Sequence, residues 1–207
     1  MILSNLITKI HHINFRKRFR VDKYYLIYDK IKFNSVRFQM KRLFKKDSLN
    51  LHSNNRKMSN IRITKQFSFE TGHALYGYDG KCKNVHGHSY KLSVTVIGTP
   101  ISDAQNVKFG MVIDFTDLKK IVKEEIVDQF DHATVFNKNT PHVELAHELE
   151  SRGHHVILVD YQPTSENMVI DFSNRIKSRL PKNISLFSLK LQETETSFAE
   201  WFASDNL

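Results

Sequence analysis

The chain has 207 residues and a formal charge of +9, from 31 Lys+Arg against 22 Asp+Glu. The excess sits at one end: residues 1–57 hold 15 of the basic and 3 of the acidic residues, for +12, while residues 58–207 hold 16 and 19, for −3. The larger part therefore lacks the electrostatic footprint of a nucleic-acid binder. One cysteine excludes an internal disulfide and suits a reduced cytoplasm, and no apolar run reaches the ~18 residues of a membrane span.

Residues 1–57 combine basic clusters, Arg16-Lys17-Arg18-Phe19-Arg20 and Lys41-Arg42-Leu43-Phe44-Lys45-Lys46, with scattered Ile, Tyr and Phe and no sustained period. Met1 to Ile10 lacks the basic start of a secretory signal. Three readings stand: a basic arm for RNA or a membrane surface, a targeting segment, or translation from an upstream start codon, with Met58 opening the domain. The third is the expectation, with 1–57 disordered or outside the native domain and 58–207 as its body.

Period-2 alternation predicts strands over Arg62 to His73 and His86 to Gly98, joined by a loop with Gly77, Asp79-Gly80 and Cys82. A short strand, Met111-Val112-Ile113, precedes a helix near Asp117 to Phe130, with Leu118, Ile121, Val122, Ile126 and Phe130 as its apolar stripe and Thr116 as N-cap. Thr140-Pro141 opens a short helix to about Ser151, and Gly153 leads to an apolar run, His155 to Tyr161. A second main helix follows Pro163-Thr164-Ser165-Glu166, with Met168, Val169, Phe172, Ile176 and Leu180 as its stripe. Strands at Leu186 to Glu193 and Ser197 to Phe202 close the chain.

On a strand, residues i and i+2 share a face, so His86 and His88 project together, on the side of Tyr90, Leu92, Val94 and Val96. His73 stands in register with Phe67 and Phe69 on the neighbouring strand. A lone histidine on an apolar face is more often a hydrogen-bonded core residue than a ligand. Two side by side are costly to bury unless something satisfies them, and a divalent ion does so directly. Three imidazoles with an open fourth position form the donor set of catalytic zinc, which leaves Cys82 free; iron, copper and nickel also accept imidazole. His142, His147, His154 and His155 show no ligand spacing and read as surface or structural.

Asp131-His132 follows the first helix. The carboxylate can fix the tautomer of a proton-shuttling imidazole, or the pair can simply end the helix. Glu193 falls in phase with Phe187, Leu189 and Leu191, an inward face, where a carboxylate needs a partner. A cationic or amide-rich ligand would serve; the alternative is a strand-end residue turned to water.

The run Phe69 to His73, Cys82-x-x-x-His86-Gly87-His88-x-Tyr90, Val112-x-Asp114-Phe115-x-x-Leu118-Lys119, Asp131-His132, Pro163-Thr164-Ser165-Glu166-Asn167 and Glu193-Thr194 resembles the 6-pyruvoyl-tetrahydropterin synthase family over nearly all of 61–203. Three residues between Cys82 and the His-Gly-His are similar to its 6-carboxy-5,6,7,8-tetrahydropterin synthase branch, of queuosine synthesis. The resemblance implies an α+β tunnelling fold: antiparallel sheet, two main helices on one face, a short helix and strand inserted between them, and trimers that stack into hexamers. It implies a lyase that turns 7,8-dihydroneopterin triphosphate into 6-carboxytetrahydropterin, acetaldehyde and triphosphate. Within it His73, His86 and His88 would be zinc ligands, Cys82 the general base, Asp131 and His132 its partner relay, and Glu193 the pterin anchor, helped by Thr164 and Glu166. A 6-pyruvoyl-tetrahydropterin synthase, which eliminates triphosphate and keeps the side chain, is the alternative within the family; a basic RNA-binding protein is the alternative outside it. The chain departs from the pattern at Trp201, where a tyrosine is expected, and over 137–162, longer than compact members need.

Overall fold

The structure is a computed structural model that describes residues 59–207; the expectations for residues 1–57 and for Met58 as a start lie outside the described residues. Six strands form one sheet: β1 (Ile61–His73), β2 (His86–Gly98), β3 (Ala133–Asn137), β4 (Val156–Val159), β5 (Ile184–Gln192) and β6 (Phe198–Phe202). Their order is β4-β3-β1-β2-β5-β6. The α+β class holds, and β1, β2, β5 and β6 pair antiparallel as expected. The other side is parallel, β3 along β1 and β4 along β3. β3 escapes a periodicity search because alternation fails in it: Val135 and Phe136 are both fully buried, one on each face.

Helix α1 begins at Phe115 (Phe115–Val122), widens into a π turn (Lys123–Val127) and closes with Asp128–Phe130. Its N-cap is Asp114 rather than Thr116: the Asp114 carboxylate accepts from the Thr116 N–H at 2.7 Å, so the helix starts earlier than the sequence suggests. Met111-Val112-Ile113 is a bend and not a strand. A single backbone exchange, Ile101 with Met111 and Gly110, closes the preceding loop, and Gly110 takes a positive φ of 84° that no strand could continue from. Helix α2 (His142–Ser151) and β4 occupy the segment between the main helices, and α3 (Ser165–Arg179) follows with Thr164 as N-cap.

The core lies between one face of the sheet and α1 with α3. Phe69 stacks on Tyr90 at 5.6 Å, and Phe172 of α3 meets both Phe69 and Phe130 edge-on. Leu118, Val122, Ile126 and Phe130 of α1 and Met168, Phe172 and Ile176 of α3 are fully buried against Leu92, Val94 and Val96. A smaller cluster of Ala74, Phe136 and Ala146 seats α2. One expected inward residue is turned out: a bulge skips Phe187, because Thr95 pairs with Ser188 and Val96 with Leu186. Leu186 takes the core position instead, and Phe187 stacks under the Arg62 guanidinium. Among the described residues no helix is long and apolar enough to cross a membrane.

Candidate metal centre

The β1–β2 register puts His73 opposite His86 and Thr71 opposite His88, so all three imidazoles leave the sheet on the core side. Close approach there depends on Gly72 and Gly87, paired across the ladder: a Cβ on Gly87 would lie 3.1 Å from the Thr71 carbonyl oxygen. The ligand atoms of His73, His86 and His88 lie within 4.8 Å of one another, the one such group among the described residues. His142, His147, His154 and His155 form none. His142 packs edge-on against Tyr76 and Phe136, and His147 pairs with Glu150.

The orientation of the rings follows from their outer nitrogens. His73 Nδ1–H donates to the Pro163 carbonyl at 2.7 Å, and His86 Nδ1–H donates to the Asn84 carbonyl at 2.8 Å. Both Nε2 atoms are then left with lone pairs, and these face each other at 3.1 Å. Two acceptors at that distance repel unless a cation lies between them, and a backbone carbonyl behind each ring is the usual outer partner of a metal-bound histidine. Burial pushes the His73 imidazole below 6.5, an effect the Pro163 carbonyl opposes and His86 reinforces; burial lowers His88 as well, against the pull of Glu193. Neutral imidazole is the form that binds a metal. The donor set therefore fits a divalent ion such as zinc.

Glu193, just beyond β5, reaches inward as its phase predicts. Its Oε1 accepts from the Tyr90 hydroxyl at 3.0 Å and lies 3.6 Å from His73 Nε2 and 3.5 Å from His88 Nε2. The Tyr90 phenol is pushed far above its ordinary 10.0, first by burial and then by the Glu193 charge; it stays a donor at any ordinary pH. Cys82 is half-buried in the turn Lys81–Lys83, its carbonyl receiving the Leu75 N–H.

Asp131 and His132 are elsewhere. Asp131 Oδ1 accepts from the Glu70 N–H at 2.9 Å and lies 3.0 Å from His132 Nδ1; the Glu70 N–H holds the carboxyl below its ordinary 3.8, with His132 adding to it. His132 takes a positive φ of 61°, held by its N–H bond to the Glu70 carbonyl. Its largely exposed ring edges a cleft of about 340 Å³ lined by Glu70, Thr71, Gly72, Gly87, His88 and Ser89. Thr164 spends its hydroxyl as the α3 cap, accepting from Asn167 N–H, and the exposed Glu166 borders a groove with Phe198 and Trp201.

Two carbonyls that orient the rings, Asn84 and Pro163, carry no sequence signal, since every residue has one. Tyr90 could have been found: it lies two residues past His88 on the same face, and a hydroxyl at the end of a buried ring needs a partner. Ser165 is less accessible to inference; its Oγ is buried without a hydrogen-bond partner among the described residues.

Residues 62–203 match the model of the 6-pyruvoyl tetrahydropterin synthase family. The chain is 40% identical over 142 residues to 6-carboxy-5,6,7,8-tetrahydropterin synthase of Haemophilus influenzae, covering 68% of this chain and 98% of that one. It is 31% identical over 161 residues to the enzyme of the same name from Aquifex aeolicus, covering 67% and 96%. The fold is similar to that of Caenorhabditis elegans 6-pyruvoyl tetrahydropterin synthase, with a TM-score of 0.51, 24% identity, and coverage of 70% of this chain and 97% of that one.

Proposed function

Because the chain belongs to the 6-pyruvoyl tetrahydropterin synthase family, we propose that it is a zinc-dependent carbon–carbon lyase that converts 7,8-dihydroneopterin triphosphate to 6-carboxy-5,6,7,8-tetrahydropterin, with release of acetaldehyde and triphosphate. The observation that carries this reading is the convergence of three imidazole nitrogens beside the Glu193 carboxylate at one end of β1 and β2, with Cys82 in the turn that leads into β2. The 6-carboxytetrahydropterin synthases named above, and the three-residue gap between Cys82 and His86, favour side-chain cleavage over simple elimination.

Each protein group then has a task. Glu193 accepts the amide and amino N–H groups of the pterin in two parallel bonds, a geometry suited to a carboxylate, with the Tyr90 hydroxyl fixing the orientation of Oε1. Zinc held by His73, His86 and His88 would act as a Lewis acid on the substrate's side-chain hydroxyls, making the adjoining C–H acidic. Cys82 takes that proton as thiolate; the thiol must stay reduced to do so, as a cytoplasmic setting allows. Asp131 holds His132 in the tautomer that leaves Nε2 free to exchange the second proton. The relay is completed between copies, the largely exposed His132 of one serving the thiol of another in a trimer or hexamer. Thr164 and Glu166 contribute to the pterin end through the α3 N-terminus.

The test is to incubate the purified protein with 7,8-dihydroneopterin triphosphate and zinc and to follow acetaldehyde and product mass. Acetaldehyde in step with a 6-carboxy product supports the lyase; a 6-pyruvoyl product without acetaldehyde would overturn it in favour of elimination alone.

A further inference from the structure

Glu193 stands in an unexpected place for a residue whose only task is to bind a pterin. Its Oε1 lies 3.6 Å and 3.5 Å from the Nε2 atoms of His73 and His88, too long for hydrogen bonds. The protons are also wrong for such bonds: His73 carries its hydrogen on Nδ1, toward Pro163, so its Nε2 turns a lone pair to the carboxylate. A carboxylate oxygen and the Nε2 lone pairs of His73 and His86 crowd one small volume. Atoms bound to one tetrahedral ion at about 2.0–2.1 Å stand roughly 3.3 Å apart. The spacings from Glu193 to His73 and His88, and that from His73 to His86, bracket this value. The Tyr90 hydroxyl donates to the same Oε1 at 3.0 Å, and ligating carboxylates characteristically carry such an outer donor.

We propose that Glu193 is an exchangeable fourth ligand: in the substrate-free protein its carboxylate closes the ion held by His73, His86 and His88, and an arriving pterin draws it away. The proposal rests on the reading of the triad as a metal centre and deepens it. Glu193 lies past the end of β5, in the loop that its N–H closes onto the Ser197 carbonyl, with a quarter of its side chain exposed; it has room to swing while the ligands on β1 and β2 do not. One residue thereby couples recognition of the heterocycle to opening of the ion's fourth corner, so that the corner is vacated only when a pterin edge is in place to be recognised.

The test replaces zinc with cobalt(II), whose visible bands report coordination geometry, in the wild-type protein and in Glu193→Gln and Tyr90→Phe. A competing chromophoric chelator gives the metal affinity of each. Glu193→Gln is expected to bind cobalt at least about ten-fold more weakly and to show an altered band pattern, with Tyr90→Phe changed in the same direction but less. Unsubstituted pterin, which has the amide edge but no side-chain hydroxyl to offer the ion, should shift the wild-type spectrum toward that of Glu193→Gln. Metal bound with equal affinity and spectrum in wild type and Glu193→Gln, or a wild-type spectrum that pterin binding leaves unchanged, would overturn the exchange while leaving the histidine site intact. Absence of metal binding in the wild type would overturn both.

Discussion

Replacing His86 by Ala tests the metal centre without relying on catalysis. His86 is only partly buried and its one anchoring bond is to the Asn84 carbonyl, so in metal-free protein its loss should cost about 1 kcal/mol. The metal-bound state is different. An ion that binds only the folded chain stabilises it by about 4 kcal/mol at a thousand times its dissociation constant, which for a domain of 150–250 residues corresponds to roughly 8–16 °C in Tm. Removing one of three ligands should weaken binding by at least the 10–100-fold seen when an outer partner is lost, that is by about 1.4 kcal/mol or more, and so narrow the gap between zinc-loaded and chelated protein by at least about 3 °C. Differential scanning calorimetry on wild type and His86→Ala, each with chelator and with excess zinc, measures both gaps. A wild-type protein that melts at one temperature in both conditions, or a variant that keeps the full wild-type gap, would refute the reasoning.

Cys82→Ala should retain the zinc-dependent rise in Tm yet release acetaldehyde at least about 100-fold more slowly, the usual scale for a lost general base; equal turnover would remove Cys82 from that role. If the relay spans two copies, mixing inactive Cys82→Ala with inactive His132→Ala under subunit exchange should restore part of the activity, and a mixture as inactive as its components would place the relay within one chain. Chelated protein should lose stability as pH falls through about 6.5: unfolded histidines titrate there, whereas burial holds His73 and His88 lower, so the native state binds fewer protons and acid favours unfolding. Asp114 and Asp131 act only below 3.8, so an equal urea midpoint at pH 7.5 and 5.5 would contradict this. Gly87→Ala, whose Cβ would press on the Thr71 carbonyl, should cost about 1–3 kcal/mol, lowering the calorimetric Tm by roughly 2–12 °C; an unchanged Tm would show that the ladder relaxes freely there.

The histidine triad was legible because β1 and β2 are long and regular: alternation alone puts His73, His86 and His88 on one face, and the register supplied by the sheet only had to bring them opposite each other. Glu193 was legible for the same reason, although Phe187, invoked in the same phase, was not; a bulge reverses the face of one residue without a mark in the composition. The N-cap shifted from Thr116 to Asp114 because both are good caps and local sequence does not rank them. β3 was missed because it is buried on both faces, and the placing of Asp131-His132 beside Glu70 because it depends on β3 lying next to β1, a tertiary fact.

The π turn in α1 has a consequence for what this helix can lose. Leu118, Val122, Ile126 and Phe130 are spaced by four throughout, and in an α-helix such a repeat precesses by about 40° at every step. The wider turn at Lys123–Val127 takes back part of that drift, so the last member still meets Phe172 and the chain leaves the helix aimed at Glu70. Shortening 123–127 by one residue would restore ordinary winding and break the spacing of four between Val122 and Ile126 on which the apolar stripe depends. Substitutions on the outer side of that turn are cheap by comparison; its length is what the fold has to preserve.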